Sequence, residues 1–77
     1  MFAKEPIPKT NSSLCENYLR NLINAVESTT PFEQTKANDW LEKLIKRNCQ
    51  IYLNWFYRNY RNHPSPFVQS IAEKARK

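Results

Sequence analysis

No glycine occurs among the 77 residues. Phosphate-cradling loops, nucleophile elbows and tight hairpin turns depend on backbone conformations that glycine adopts cheaply, so most nucleotide-binding and hydrolase motifs are excluded. There is one histidine, His63, and the two cysteines, Cys15 and Cys49, are far apart with no C-x-x-C spacing, so a tetrahedral metal site has too few soft ligands and no metal or cofactor is expected. His63 precedes Pro64 at a helix end and has no partner suggested nearby in sequence, which suits a capping or surface role rather than a catalytic base. One aspartate and six scattered glutamates form no paired-carboxylate motif. The chain is not expected to be an enzyme.

Long apolar runs are also missing. Nothing approaches the roughly 20 residues that span a bilayer, and Met1-Phe2-Ala3-Lys4-Glu5-Pro6 places charge and proline where a secretory signal has its apolar stretch. The expected location is cytoplasmic. In a reducing compartment both thiols would be free, Cys15 reading as a small hydrophobe on a helix face, and neither would be needed for folding.

What remains is a basic, aromatic-rich chain with net charge +5 and 13% Phe, Trp and Tyr. Apolar residues recur at spacings of three and four and no Asn-Gly or Asp-Gly turn occurs, so the expected fold class is all-α. Residues 1–12 carry Pro6 and Pro8 without helical periodicity and read as a flexible, extended arm that Phe2 and Ile7 could anchor. Residues 13–77 form a single small helical domain of three to four helices. A core of that size rarely supplies more than roughly 3–5 kcal/mol, which favours association with a partner.

Helix boundaries follow from capping patterns. Ser13-Leu14-Cys15-Glu16 has the form of a capping box and opens a helix near 13–28 whose apolar face is Leu14, Tyr18, Leu19, Leu22 and Val26, with Cys15 and Ile23 at its margin. Thr30-Pro31-Phe32-Glu33 repeats the pattern with proline at the first helical position, starting a short helix near 31–37. A third box, Asp39-Trp40-Leu41-Glu42, begins a long helix near 39–62, which Pro64 ends. Ser65-Pro66 starts a short last helix near 66–75, with Phe67, Val68, Ile71, Ala72 and Ala75 apolar and Lys74, Arg76 and Lys77 as a basic end.

The long helix carries the functional expectation. At 100° per residue Leu41, Leu44, Ile45, Ile51, Tyr52, Trp55 and Phe56 share one arc, the expected core, and Cys49, Leu53, Tyr57 and Tyr60 fall on the adjoining one. The first helix spans roughly 21 Å and, running antiparallel, reaches only to about Ile45 or Cys49. The aromatic half must then be covered by the last helix, the arm, a second copy of the chain or another molecule. Trp55, Phe56, Tyr57, Arg58, Tyr60 and Arg61 have the composition of an interface hot spot and are the expected partner-binding residues. A third face, Lys43, Arg47, Gln50, Asn54, Arg58 and Arg61, is free of acids and suits acidic groups or phosphates. The expected function is therefore a protein-binding module, an accessory subunit, adaptor or inhibitor of regulatory type that engages a larger protein with an acidic surface. The alternative is RNA or DNA binding by the basic stripe with interleaved aromatics, although no RNP, KH, zinc-finger or helix-turn-helix signature is present. Self-association through the same patch is a further alternative.

Overall fold

In the computed structural model, which describes residues 5–9 and 11–76, every regular element is α-helical. Phe2 and Lys77, read from the sequence as an anchor and as part of a basic tail, lie outside the described residues. Helix α1 (Ser13–Glu27) is capped one residue earlier than the sequence box implies. Ser12 takes the extended cap conformation and its Oγ accepts the Cys15 N–H at 3.2 Å. Glu16 is thereby released from capping and pairs with Arg20 one turn on, at 2.8 Å.

Pro31 sits at the start of α2 (Pro31–Thr35), as its fixed φ favours. The Thr30 side chain does not cap this helix; Ser28 organises the connection instead, its Oγ lying 2.8 Å from Thr30 Oγ1 and accepting the Thr30 N–H, while its carbonyl accepts from Gln34 Nε2. Lys36 alone separates α2 from α3 (Ala37–Lys46), so Asp39 lies inside the first turn of α3 rather than capping it. There its carboxylate favours the positive end of the helix dipole.

The stretch expected as one helix over 39–62 is two. Between α3 and α4 (Gln50–Tyr60) the backbone closes in a Schellman motif: Cys49 N–H donates to the Leu44 carbonyl and Asn48 N–H to the Ile45 carbonyl, both at 3.0 Å. Asn48 occupies the left-handed position, with φ 60°. In a chain without glycine, asparagine is the residue that takes this conformation at least cost. The turn changes which residues face inward. Ile45 and Ile51, assigned to the core by a continuous helical period, are 47% and 57% exposed, whereas Leu53 and Tyr60 of the adjoining arc are buried.

Cys15 and Cys49, expected as free thiols, form a disulfide with a Cα–Cα distance of 5.9 Å. The reason is topological. The short connection after α1 folds it back along α3, so the first turn of α1 meets the residue that follows the end of α3.

Helix α5 (Pro66–Ala75) closes the fold against α4, burying Val68, Ile71, Ala72 and Ala75. The core joins Leu19, Leu22 and Val26 of α1 to Leu41 and Leu44 of α3 and to Tyr52, Leu53, Trp55, Phe56 and Tyr60 of α4. Each fully buried large side chain stabilises the fold by about 1.5–3 kcal/mol. Helix α3 packs on each of the other helices, and α4 is covered by α5, α3 and α1 along with residues 5–9, leaving mainly Gln50, Ile51, Asn54 and Arg58 open to solvent. No helix among the described residues is long and apolar enough to cross a membrane.

Candidate functional site

The residues expected to bind a partner divide by depth. Trp55 is 2% exposed, and Phe56 and Tyr60 are fully buried. These three side chains are core, contrary to the reading that made them contact residues, because α5 and the N-terminal segment cover the aromatic half of α4. Tyr57 is half-buried at the edge, and Arg58 and Arg61 are exposed.

Those outer residues form a small cationic surface. The guanidinium of Arg61 lies 5.5 Å from the centre of the Tyr57 ring and that of Arg76, at the end of α5, lies 6.0 Å from it. Both are within the range of cation–π attraction, so the ring holds two positive charges together that would otherwise separate. Arg76 also contacts Glu73 at 3.7 Å, and Arg58 contacts Glu5 at 3.4 Å. Arg61 makes no ion pair with any described residue. The position of Arg76 beside Tyr57 could not be read from spacing, since the two residues are joined only by the packing of α5 on α4.

The expected basic stripe is exposed at every position, but the Asn48 turn divides it. Gln50, Asn54, Arg58 and Arg61 share the open side of α4, with Gln50 Nε2 donating to Asn54 Oδ1 at 3.0 Å. Lys43 and Arg47 belong to α3 and its C-cap, where Lys43 lies 5.7 Å from the Trp40 ring.

Residues 5–9 are the part that periodicity could not find. This described part of the extended arm lies against α4 through specific bonds. The Trp55 indole N–H donates to the Pro6 carbonyl at 3.0 Å, and the Glu5 N–H donates to Asn59 Oδ1 at 2.7 Å. Ile7 packs on the core, as anticipated.

Below this surface Tyr60 ties α4 to α1 by donating its hydroxyl to Glu27 Oε2 at 2.9 Å. Its ring stacks on Phe56 at 4.5 Å and on His63 at 6.0 Å. Burial, together with the hydrogen bond to Glu27 and the charge of that carboxylate, raises the phenol far above its ordinary value of 10.0. His63 Nδ1 accepts the Ser65 N–H at 3.1 Å and so organises the turn into α5. Among the described residues no group of three or more His, Cys, Asp or Glu side chains is placed to hold a metal ion. Comparison of the chain with protein-family models, curated proteins and solved structures gave no match.

Proposed function

We propose that the chain is a small basic protein-binding module, an accessory subunit, adaptor or inhibitor without catalytic activity of its own, which engages an acidic surface of a larger protein through Tyr57, Arg58, Arg61 and Arg76. The observation that carries this reading is the gathering of two guanidinium groups at the Tyr57 ring, 5.5 and 6.0 Å from its centre. Tyrosine and arginine supply most of the energy at many protein interfaces, the ring through area and the guanidinium through forked hydrogen bonds to carboxylates. Pre-arrangement of these side chains lowers the ordering cost of binding. The paired cysteines favour an oxidising compartment over the cytoplasm expected from the sequence, because thiols stay reduced in the latter.

The test is capture from native extract by immobilised chain, with and without nuclease, comparing the wild type with Tyr57→Ala and Arg61→Glu. Expected is a nuclease-resistant protein partner that both variants lose while their circular dichroism is unchanged. Capture that nuclease abolishes, and that falls linearly with the logarithm of salt concentration, would replace this reading with nucleic-acid binding, for which the exposed Gln50-Asn54-Arg58-Arg61 side of α4 would be the surface.

A further inference from the structure

Two polar atoms on the buried side of α4 are directed at a main chain rather than at other side chains. Trp55 and Asn59 are 2% and 7% exposed. Asn59 Nδ2 is committed to the Trp55 carbonyl at 2.8 Å, which fixes the amide so that Oδ1 faces the N-terminal segment and accepts the Glu5 N–H at 2.7 Å. The Trp55 indole N–H donates to the carbonyl of the following residue, Pro6, at 3.0 Å. One acceptor and one donor thus read backbone groups of two consecutive residues in an extended stretch of chain. A buried donor or acceptor left without such a partner is costly, so this part of α4 requires an extended backbone against it.

Three further features select which backbone. Arg58, one turn on from Trp55 and at the exposed edge of the groove, holds the Glu5 carboxylate at 3.4 Å. Pro6 offers its carbonyl and has no N–H to strand, and its fixed φ keeps the segment extended at little entropic cost. The apolar residue after the proline, Ile7, packs on the core and, with Glu5, Arg20, Ile23, Asn24 and Trp55, walls an open cleft of about 320 Å³ between the segment and α1.

We propose that this α1/α4 groove is a recognition site for an extended segment of a partner protein, carrying an acidic residue, a proline and an apolar residue in succession, and that Glu5-Pro6-Ile7 is its resident occupant in cis. The proposal rests on the reading of α4 as the partner-facing helix and supplies the chemistry of the partner's contacting segment. Binding then proceeds by exchange: the partner segment displaces residues 5–9 and inherits their bonds to Asn59, Trp55 and Arg58.

The probe is a synthetic peptide of residues 1–12, titrated into the ¹⁵N-labelled full-length chain while the indole N–H resonances of Trp55 and Trp40 are followed. In the wild type the tethered segment competes at high effective concentration. Glu5→Lys in the protein opposes Arg58 and weakens the occupant, and since Glu5 is exposed the helical content should persist. The peptide is expected to move the Trp55 indole of the Glu5→Lys chain, with Trp40 still, and to bind it about tenfold or more tightly than it binds the wild type. Arg58→Ala added to that chain should remove most of the gain. A silent Trp55 resonance in both proteins, or equal affinity for both, overturns the proposal. If Glu5→Lys loses helical content, Glu5→Gln is titrated in its place with the same expectations. Arg61→Glu separates the two readings. A peptide titration unaffected by this change, together with loss of extract capture, supports both, whereas loss of capture with Trp55 silent removes the groove alone.

Discussion

The two ends of α4 are held by different chemistry. Its N-terminal end is fastened by a covalent bond, Cys49 to Cys15, directly after a backbone turn closed by its own hydrogen bonds. Its C-terminal half is held by exchangeable contacts: Trp55 to Pro6, Asn59 to Glu5, Tyr60 to Glu27 and Arg58 to Glu5. A covalent clamp is not displaced by a competing non-covalent contact and opens only by reduction or thiol exchange. Hydrogen bonds to a neighbouring strand can be taken over by another strand offering the same groups. The recognition proposed above falls on the C-terminal, exchangeable half.

The largest expected effect comes from emptying the exchangeable half. Trp55→Ala should cost about 3–5 kcal/mol by chemical denaturation, since it removes a fully packed indole and strands the Pro6 carbonyl. A loss below about 1 kcal/mol would mean that the segment and α4 are not packed as described.

Reduction of the disulfide, or Cys15→Ser with Cys49→Ser, should cost about 3–4 kcal/mol, the loop-closure scale for a separation of 34 residues. The covalent end predicts a further distinction. Denaturation midpoints measured with and without reductant should differ in the wild type and coincide in the double variant.

Tyr60→Phe keeps the ring stack and removes the bond to Glu27, for an expected loss of about 1 kcal/mol near neutral pH. The phenol has a folded-state pKa above that of the unfolded chain, so its contribution is complete below the unfolded value of about 10 and is lost as pH rises beyond it. Wild-type stability should decline above about pH 10, and Tyr60→Phe should flatten the part of that decline due to this residue. An unchanged alkaline slope would show that Tyr60 does not hold the two helices in this way.

Smallest of all should be the effect of Tyr57→Ala on stability, within about 1 kcal/mol in thermal or chemical melts, because the ring is only half-buried at the edge of the core. A larger loss would move Tyr57 into the structural half of the comparison and leave the arginines alone as the contact surface.

Much of this division follows from local sequence signals, and its exceptions have specific causes. Pro31 and Pro66 mark two helix starts because proline at the first helical position removes only an N–H that is already unpaired. Ser12 and Ser13 are adjacent potential caps, and a box pattern cannot choose between them; the choice falls to Ser12, whose Oγ is in reach of Cys15 N–H. Asn48 was the legible sign of the α3/α4 elbow, yet a hydrophobic period that continues through Ile45 and Ile51 outweighed it, since angular averaging does not register a single left-handed residue. The length of α1 already brought its first turn near Cys49, so the disulfide could be anticipated from geometry; composition alone pointed the other way. Of the candidate site, the outer position of Arg58 and Arg61 was legible from their charge, while the burial of Trp55, Phe56 and Tyr60 beside a half-buried Tyr57 could not be separated from it without knowing where α5 docks. The role of Glu5 and Pro6 left no periodic trace, as their partners lie 49 to 54 residues away.

The Cys15–Cys49 bond also fixes how this chain would transmit tension. A pull applied at its two termini passes from Cys15 directly to Cys49, so the 34-residue step between them carries no load and α2, α3 and most of α1 are shielded. Only the N-terminal segment, α4 and α5 can be drawn out while the bond is intact. At about 3.3–3.6 Å per extended residue, roughly 110 Å of contour stays hidden until a reductant releases it.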